Sequence, residues 1–292
     1  MFRPLMIATA LLSTNAQAGK PAPPPTATSA PEVVYTLASA KGYELRVANR
    51  DGTGAVTLYK GSGIVIGKLG PRADKTIAFY GGSNMYLMTY DASPSGIAET
   101  SKRLLFNNGR PNAGPFDFSG ADVAWWNGAT GDLHIYNIAT SADRVLINVP
   151  DMAGVSFNPS GTEIFYGNGN NSGHYSIHRI PITGGVPTEL GITRNAATFD
   201  SGHAADNFVI AAPQSGTWYV DYVPAGASSG QRIAQGIEAS FSCDDRYIIY
   251  RQPERANSNN AYNTLIYDVQ SGASGTFSTN DSVKFASYMP TC

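Results

Sequence analysis

Apolar and polar residues alternate in short runs along most of the chain, and turn-forming residues separate the runs. Residues 154–157, 163–166, 175–180 and 186–190 form four such runs. A Pro-Ser-Gly turn follows the first run, and a Gly-Gly turn precedes the last. Alternation with a period of two is typical of half-buried β-strands. This segment therefore predicts four antiparallel strands, and no stretch shows a convincing helical period.

The four-strand pattern recurs about every 42 residues along the chain. Each copy aligns on the residue that ends its first strand. These anchor residues are Gly70, Phe116, Phe157, Phe199, Phe241 and Tyr288. A period of this length made only of short strands is typical of a β-propeller, with one four-stranded sheet per blade. The sequence therefore predicts an all-β, six-bladed β-propeller over residues 32–292.

The two ends of the repeat region complement each other. Residues 33–36 match the second strand of a blade, and residues 283–290 match a first strand. The C-terminal strand is therefore predicted to complete the first blade, which closes the ring and removes open sheet edges.

The N-terminal 31 residues differ in composition from the repeats. Arg3, a short apolar stretch and Ala16-Gln17-Ala18 predict a cleaved signal peptide over residues 1–18, with a buried N-terminal segment as the alternative. Residues 19–31 are rich in proline and predict an extended tether. The apolar stretch is too short to span a bilayer, and no transmembrane segment is expected. We therefore expect a periplasmic or secreted protein.

Charge and cysteine content narrow the class of protein. Only 14% of residues are charged and the net charge is −2. No basic stripe is present, so a nucleic-acid partner is not expected. Cys243 and Cys292 follow first strands that would be neighbours in the ring. An oxidising compartment favours their pairing as a disulfide, and two separated free thiols are the alternative.

One repeat carries a recognisable motif. It contains Phe157-Asn158-Pro159-Ser160-Gly161, then Ile164-Phe165-Tyr166, and later Thr183-Gly184-Gly185. This order resembles the repeat of TolB-like β-propellers, and Ile266-Tyr267-Asp268 matches a further part of that repeat. The resemblance covers most of residues 33–292. It implies a propeller without the N-terminal α/β domain of TolB. Members of this family bind envelope proteins or carry enzymes on related rings, so the fold alone does not choose a function.

Acidic residues cluster where first strands pass into second strands. All of these turns should emerge on one face of the ring and form an acidic rim at the channel mouth. The predicted binding residues are Asp117, Asp200, His203, Asp206, Asp244 and Asp245. Such a rim would attract a cation or a basic partner surface. Aspartate is also favoured in turns for backbone reasons alone, which is the alternative explanation. No cofactor is expected, although a cation could bind in the channel.

Two functions are compatible with these features. The first is a non-catalytic scaffold that binds another envelope or extracellular protein. The second is a polysaccharide-active enzyme of the lyase type, for which His203 with Asp200 and Asp206 is the cluster considered. The sequence favours the scaffold because it shows an intact ring and no recognisable catalytic constellation.

Overall fold

The computed structural model describes most of the repeat region. The described residues are 33–39, 41–63, 65–69, 74–93, 96–107, 114–169, 173–195, 198–242, 244–253, 262–278 and 283–288. The predicted signal peptide, the predicted tether and both cysteines lie outside them, so these stay predictions. Within the described residues the chain forms 24 strands and no α-helix. No helix in this part of the chain is therefore long and apolar enough to cross a membrane.

The strands form six four-stranded antiparallel sheets, which are the six blades of a propeller. The innermost strands are β4 (Val65–Leu69), β8 (Phe116–Phe118), β12 (Met152–Phe157), β16 (Thr198–Ser201), β20 (Ile237–Phe241) and β24 (Val283–Tyr288). Each of them contacts the next around the ring, and β24 contacts both β20 and β4. The prediction of an all-β, six-bladed propeller is confirmed.

The other three strands of each blade follow outward in chain order. The second strands are β1 (Val33–Ser39), β5 (Thr76–Gly81), β9 (Asp122–Asn127), β13 (Glu163–Gly169), β17 (Phe208–Gln214) and β21 (Tyr247–Pro253). The third strands are β2 (Gly42–Ala48), β6 (Asn84–Ser93), β10 (Asp132–Asn137), β14 (His174–Pro181), β18 (Thr217–Val223) and β22 (Tyr262–Asp268). The outermost strands are β3 (Val56–Gly61), β7 (Gly96–Asn107), β11 (Ala142–Asn148), β15 (Thr188–Asn195), β19 (Gln231–Gln235) and β23 (Ser274–Ser278).

The first blade joins the two ends of the described chain. Its order is β24-β1-β2-β3, and β24 runs antiparallel to β1 with Tyr288 opposite Val33. We number this blade 1 and the others 2 to 6 in chain order. Blades 1 and 6 then meet through Tyr35 and Phe277, whose rings pack edge to face. The ring therefore closes through both backbone pairing and apolar packing.

The hydrophobic core is divided into six clusters, and each lies between two neighbouring blades. Alternation explains this division, because successive residues of a strand face opposite sides of the sheet. Phe165 packs towards blade 5 with Phe208, whereas its neighbours Ile164 and Tyr166 pack towards blade 3. Burying a side chain of this kind contributes about 1.5–3 kcal/mol. Every blade therefore depends on both of its neighbours for a buried face.

The turn after β12 shows how the repeat motif works. Gly161 has a φ of 68°, a conformation that glycine adopts without a steric penalty. The Gly161 N–H donates to the Asn158 carbonyl at 2.9 Å. The Asn158 side-chain oxygen accepts the N–H groups of Thr162 and Glu163 at 2.9 and 3.0 Å. The motif therefore ends one strand, starts the next and supplies hydrogen-bond acceptors for the backbone N–H groups of the turn.

A charge network on blade 1 gives a testable contribution to stability. The Glu44 carboxylate accepts bonds from Arg46, Thr57 and Lys60. These bonds, that from Lys60 first, lower the pKa of Glu44 to about 2. A lowered carboxyl pKa gives stability that is present above the ordinary value and lost as pH falls through the folded value. The network should therefore contribute fully above pH 4.5 and fade towards pH 2.

Glu44→Gln is expected to lower the free energy of unfolding by about 1 kcal/mol at pH 7, because solvent screens much of this network. The deficit should shrink between pH 4.5 and pH 2, as measured by urea denaturation. Glu99→Gln is the control, since Glu99 lies 3.9 Å from Lys102 and is more exposed. A pH-independent deficit, or an equal effect in both variants, would contradict this assignment.

Candidate functional site

A polar residue precedes the last residue of every innermost strand. The six positions are equivalent in the repeat, because each lies in a paired innermost strand, one residue before its end. The residues are Lys68, Asp117, Ser156, Asp200, Ser240 and Ser287. We call the first five of these residues, whose side chains the structure describes, the channel ring. Their flanking positions are mostly apolar, so the polarity is specific to this position.

Three charged side chains of the channel ring meet across the channel. Lys68 Nζ lies 3.5 Å from Asp200 Oδ1 and 3.7 Å from Asp117 Oδ1. Lys68 belongs to blade 2 and Asp200 to blade 5, which are opposite blades in a ring of six. Asp200 is 2% exposed and Asp117 6%. These contacts bridge the channel at the level of the ring, so an open pore does not pass between these side chains.

The channel ring also accepts hydrogen bonds from backbone N–H groups at the inner edge of the blades. Asp117 accepts the N–H of Phe157 at 2.8 Å, and Asp200 accepts the N–H of Phe241 at 3.0 Å. Ser156 Oγ accepts the N–H of Ser201 at 3.3 Å. In all three cases a ring residue of one blade bonds to the strand end of the next blade. An innermost strand has no partner strand on its channel side, so these side chains supply the missing acceptors.

Burial and charge act on the three groups in opposite directions. Burial lowers the pKa of Lys68, but attraction to Asp200 and then Asp117 outweighs it, and the pKa is raised. Burial raises the pKa of Asp200, but Lys68 and nearby His203 outweigh it, and the pKa is lowered. Burial keeps the pKa of Asp117 raised, although Lys68 opposes this. Asp200 is therefore the ionised partner of Lys68, and Asp117 is the carboxyl that protonates first as pH falls.

A cavity of about 350 Å³ lies beside the channel ring, at the end where the innermost strands begin. Lys68, Asp200 and Ser240 form part of its lining. The apolar side chains of the lining are Ile66, Pro115, Phe116, Ala153, Val155, Phe199 and Ala239. A cavity with apolar walls and a few polar groups is typical of binding sites.

The predicted rim residues divide into two groups. Asp117 and Asp200 lie inside β8 and β16, in the channel ring and not in turns. His203, Asp206, Asp244 and Asp245 lie in the turns that follow β16 and β20, at the end where innermost strands finish. The cavity and these four turn residues therefore lie on opposite sides of the channel ring.

Asp245 forms a link between two blades. It is 8% exposed and accepts the N–H groups of His203 and Ala205 at 2.6 and 3.1 Å. It also accepts from the Asn207 amide at 3.1 Å. Asp244 is exposed and accepts from Ser242 Oγ and the Arg246 N–H within its own turn. Asp245 thus uses its carboxylate inside the protein, and Asp244 stabilises its turn.

The lyase cluster considered from the sequence is only partly assembled. His203 is close enough to Asp200 and Asp117 to oppose the effect of burial on both carboxyls, although the pKa of Asp117 stays raised. It is not among the residues that line the cavity. Within the described residues, no group of three or more His, Cys, Asp or Glu side chains is placed to hold a metal ion. Lys68 lies between the channel carboxylates, where a cation would bind, and a channel cation stays a prediction.

Sequence reasoning missed Lys68, Ser156 and Ser240. The signal was present, because each is a polar residue at the same repeat position within an apolar strand. The shared position was hidden because β8 and β16 end at Phe118 and Ser201, two residues beyond the residues on which the repeats were aligned. An alignment that is displaced by two residues keeps the same alternation of apolar and polar positions, so periodicity did not reveal the displacement.

Comparison with known proteins gives structural neighbours only. No protein-family model matches the chain, and no curated protein matches it in sequence. TolB from Acinetobacter baumannii matches with a TM-score of 0.70 and 16% identity, covering 89% of this chain and 67% of that chain. A chain of a nidogen/laminin complex matches with a TM-score of 0.65 and 11% identity, covering 89% and 99%.

A putative TolB from Agrobacterium tumefaciens matches with a TM-score of 0.62 and 12% identity, covering 85% of this chain and 88% of that chain. Identities this low establish the fold and nothing finer. Together with the closed ring of six blades, these structural matches show that this chain folds as a TolB-like six-bladed β-propeller.

Proposed function

We propose that this chain is a non-catalytic binding protein of the periplasm or cell exterior, which holds another envelope or extracellular protein on its ring. The observation that carries the proposal is the central cavity. Its walls are largely apolar, although Thr198 and Glu238 also line it, its inner end holds Lys68 and Asp200, and residues of blades 2 to 6 surround it. An apolar side chain of a partner would fill such a cavity, and its polar neighbours would bond to the channel ring.

Two further observations support a protein partner. One structural neighbour is a chain of a nidogen/laminin complex, and two neighbours are TolB proteins. The sequence features of residues 1–31 are those of an exported protein. The cavity also lacks the candidate base His203 among its lining residues, which favours binding over lyase chemistry.

A site-specific crosslink tests this proposal. We expect a photoreactive benzophenone residue at Thr198, an exposed residue of the cavity lining, to capture a protein in the native exported fraction. The same residue at Thr188, exposed on the outermost strand β15, is the matched control and should capture nothing specific. Ala153→Trp, which fills the cavity, should remove the Thr198 product.

Mass spectrometry of the crosslinked product decides the result. A discrete peptide adduct at Thr198, absent at Thr188 and lost in Ala153→Trp, would support the proposal. Identical adducts at both positions, no adduct at Thr198, or an adduct made only of carbohydrate would overturn it.

A further inference from the structure

A second cavity lies away from the channel, in the cleft between the facing sheets of blades 4 and 5. Its volume is about 490 Å³, within the usual range for small-ligand sites. It is lined by strand ends and turns of the outer parts of both blades. Polar side chains of the lining include Thr193, Arg194, Asn195, Asp221, Ser229 and Arg232. Nothing in the channel ring reaches this cleft, so it is a separate feature of the molecule.

Two arginines bracket one buried carboxylate in the cleft. Asp221 is 8% exposed, and its oxygens lie 3.8 Å from Arg194 Nε and 3.5 Å from Arg232 Nε. Charge-assisted hydrogen bonds are normally about 2.7–2.9 Å long, so neither pair is fully formed. The three groups together carry one excess positive charge. The cleft is therefore an electropositive site on a protein with a net charge of −2.

The hydrogen bonding of this cluster is incomplete. Within the described residues, Arg194 Nε and Asp221 Oδ1 are shielded from solvent and have no hydrogen-bond partner. A buried unsatisfied group is costly and calls for an explanation, such as a ligand that completes the network. A guanidinium has five N–H donors in a planar fork. Both arginines thus have donors beyond the contacts seen here to Thr193 and Gln214.

Local strand geometry positions Arg232. The pairing of β18 with β19 shifts between Val220 and Asp221, and this irregularity places Arg232 directly opposite Asp221. The Arg232 guanidinium also stacks on the Tyr219 ring at 3.7 Å. The same pair of strands shifts register in every blade, so the bulge belongs to the repeat, and what is specific to this cleft is the side chains that the bulge carries here. Arg232 is therefore held with its planar group oriented in the cleft, which limits the entropy lost on binding.

We propose that this cleft binds a carboxylated sugar, with Arg194 and Arg232 recognising the carboxylate. Arginine pairs match the planar geometry of a carboxylate through two parallel hydrogen bonds. The surrounding hydroxyl and amide side chains of Thr193, Asn195 and Ser229 suit the hydroxyl groups of a sugar ring. The proposal is independent of a protein partner at the channel, because it uses only outer parts of two blades.

An NMR titration of the full chain with D-glucuronate tests the inference. A ligand of about thirteen non-hydrogen atoms and ordinary efficiency should bind with a dissociation constant of about 1 mM. Amide shifts of residues 193–195 and 230–232 should saturate with glucuronate and stay unchanged with glucose. Arg232→Gln should weaken binding about 10-fold, because it removes one charged fork at a partly exposed position.

Controls separate binding from folding and from simple anion capture. Arg179→Gln removes a similarly exposed arginine of blade 4 outside the cleft and should leave the affinity unchanged. Amide signals of blades 1 to 3 should be the same in both variants, which shows that the ring is intact. Absence of glucuronate shifts, equal shifts with glucose, or equally tight binding of inorganic sulfate at the same amides would overturn the proposal.

Discussion

Replacing Lys68 with methionine is expected to lower the free energy of unfolding by about 3–5 kcal/mol at pH 7. Methionine keeps most of the side-chain volume but removes the ammonium group that lies 3.5 and 3.7 Å from Asp200 and Asp117. Both carboxylates would then be buried near each other without a counterion. Removing one partner of a buried ion pair is far more costly than losing a surface pair, because the remaining charge stays desolvated.

The loss in Lys68→Met should depend on pH in a specific direction. In the native protein Lys68 opposes the burial that raises the pKa of both carboxyls. Without Lys68, the pKa of each carboxyl should lie above its ordinary value. Protonation of the carboxyls as pH falls then relieves the destabilisation of the folded state. The deficit should therefore be largest at pH 7 and shrink towards about pH 4. Urea denaturation at several pH values measures it.

Two further variants make this prediction specific. Lys68→Met combined with Asp200→Asn should recover about 2 kcal/mol, since one buried charge is removed while an acceptor for Phe241 is kept. Lys75→Met is the surface control, because Lys75 pairs with exposed Asp91 at 3.1 Å and such pairs contribute less than about 1 kcal/mol. A Lys68→Met deficit as small as that of Lys75→Met would show that the channel cluster does not stabilise the ring.

Asp245→Ala is expected to destabilise the protein by about 3 kcal/mol. The carboxylate accepts three backbone N–H groups in the turn after β16, those of His203, Ala204 and Ala205. Alanine would leave these donors without an acceptor at a partly buried position. Asp245 also has a φ of 56°, which aspartate and asparagine tolerate better than alanine. Thermal and urea denaturation both measure the loss.

The adjacent residue provides a matched control for Asp245. Asp244→Ala removes an exposed carboxylate whose hydrogen bonds, among the described residues, lie within its own turn, and its cost should be about 0.5–1 kcal/mol. Asp245→Asn should fall between the two, because the amide keeps one acceptor oxygen and the backbone conformation. Equal losses for Asp244→Ala and Asp245→Ala would show that the link between blades 5 and 6 contributes little.

The comparison of these two aspartates shows what sequence reasoning could reach. Both were predicted as rim residues, because aspartate in a repeated turn is visible in the sequence. Their different roles follow from direction: Asp245 points to the neighbouring blade and Asp244 into its own turn. Direction depends on backbone angles within one turn, which composition and spacing do not specify.

The chain's own pattern determined the strands, the period and the six-bladed architecture. This follows because alternation, turn residues and repeat length are local properties, and each blade uses the same local rules. The predicted runs at residues 163–166 and 175–180 lie inside β13 (Glu163–Gly169) and β14 (His174–Pro181), respectively.

Tertiary structure alone decided which polar residues meet. Lys68 and Asp200 are 132 residues apart in sequence, and they touch only because the closed ring places blades 2 and 5 opposite each other. The cavity at the channel ring and the arginine cleft between blades 4 and 5 arise in the same way. Both are spaces between repeats, and their shape depends on how neighbouring sheets pack and not on the pattern within any one of them.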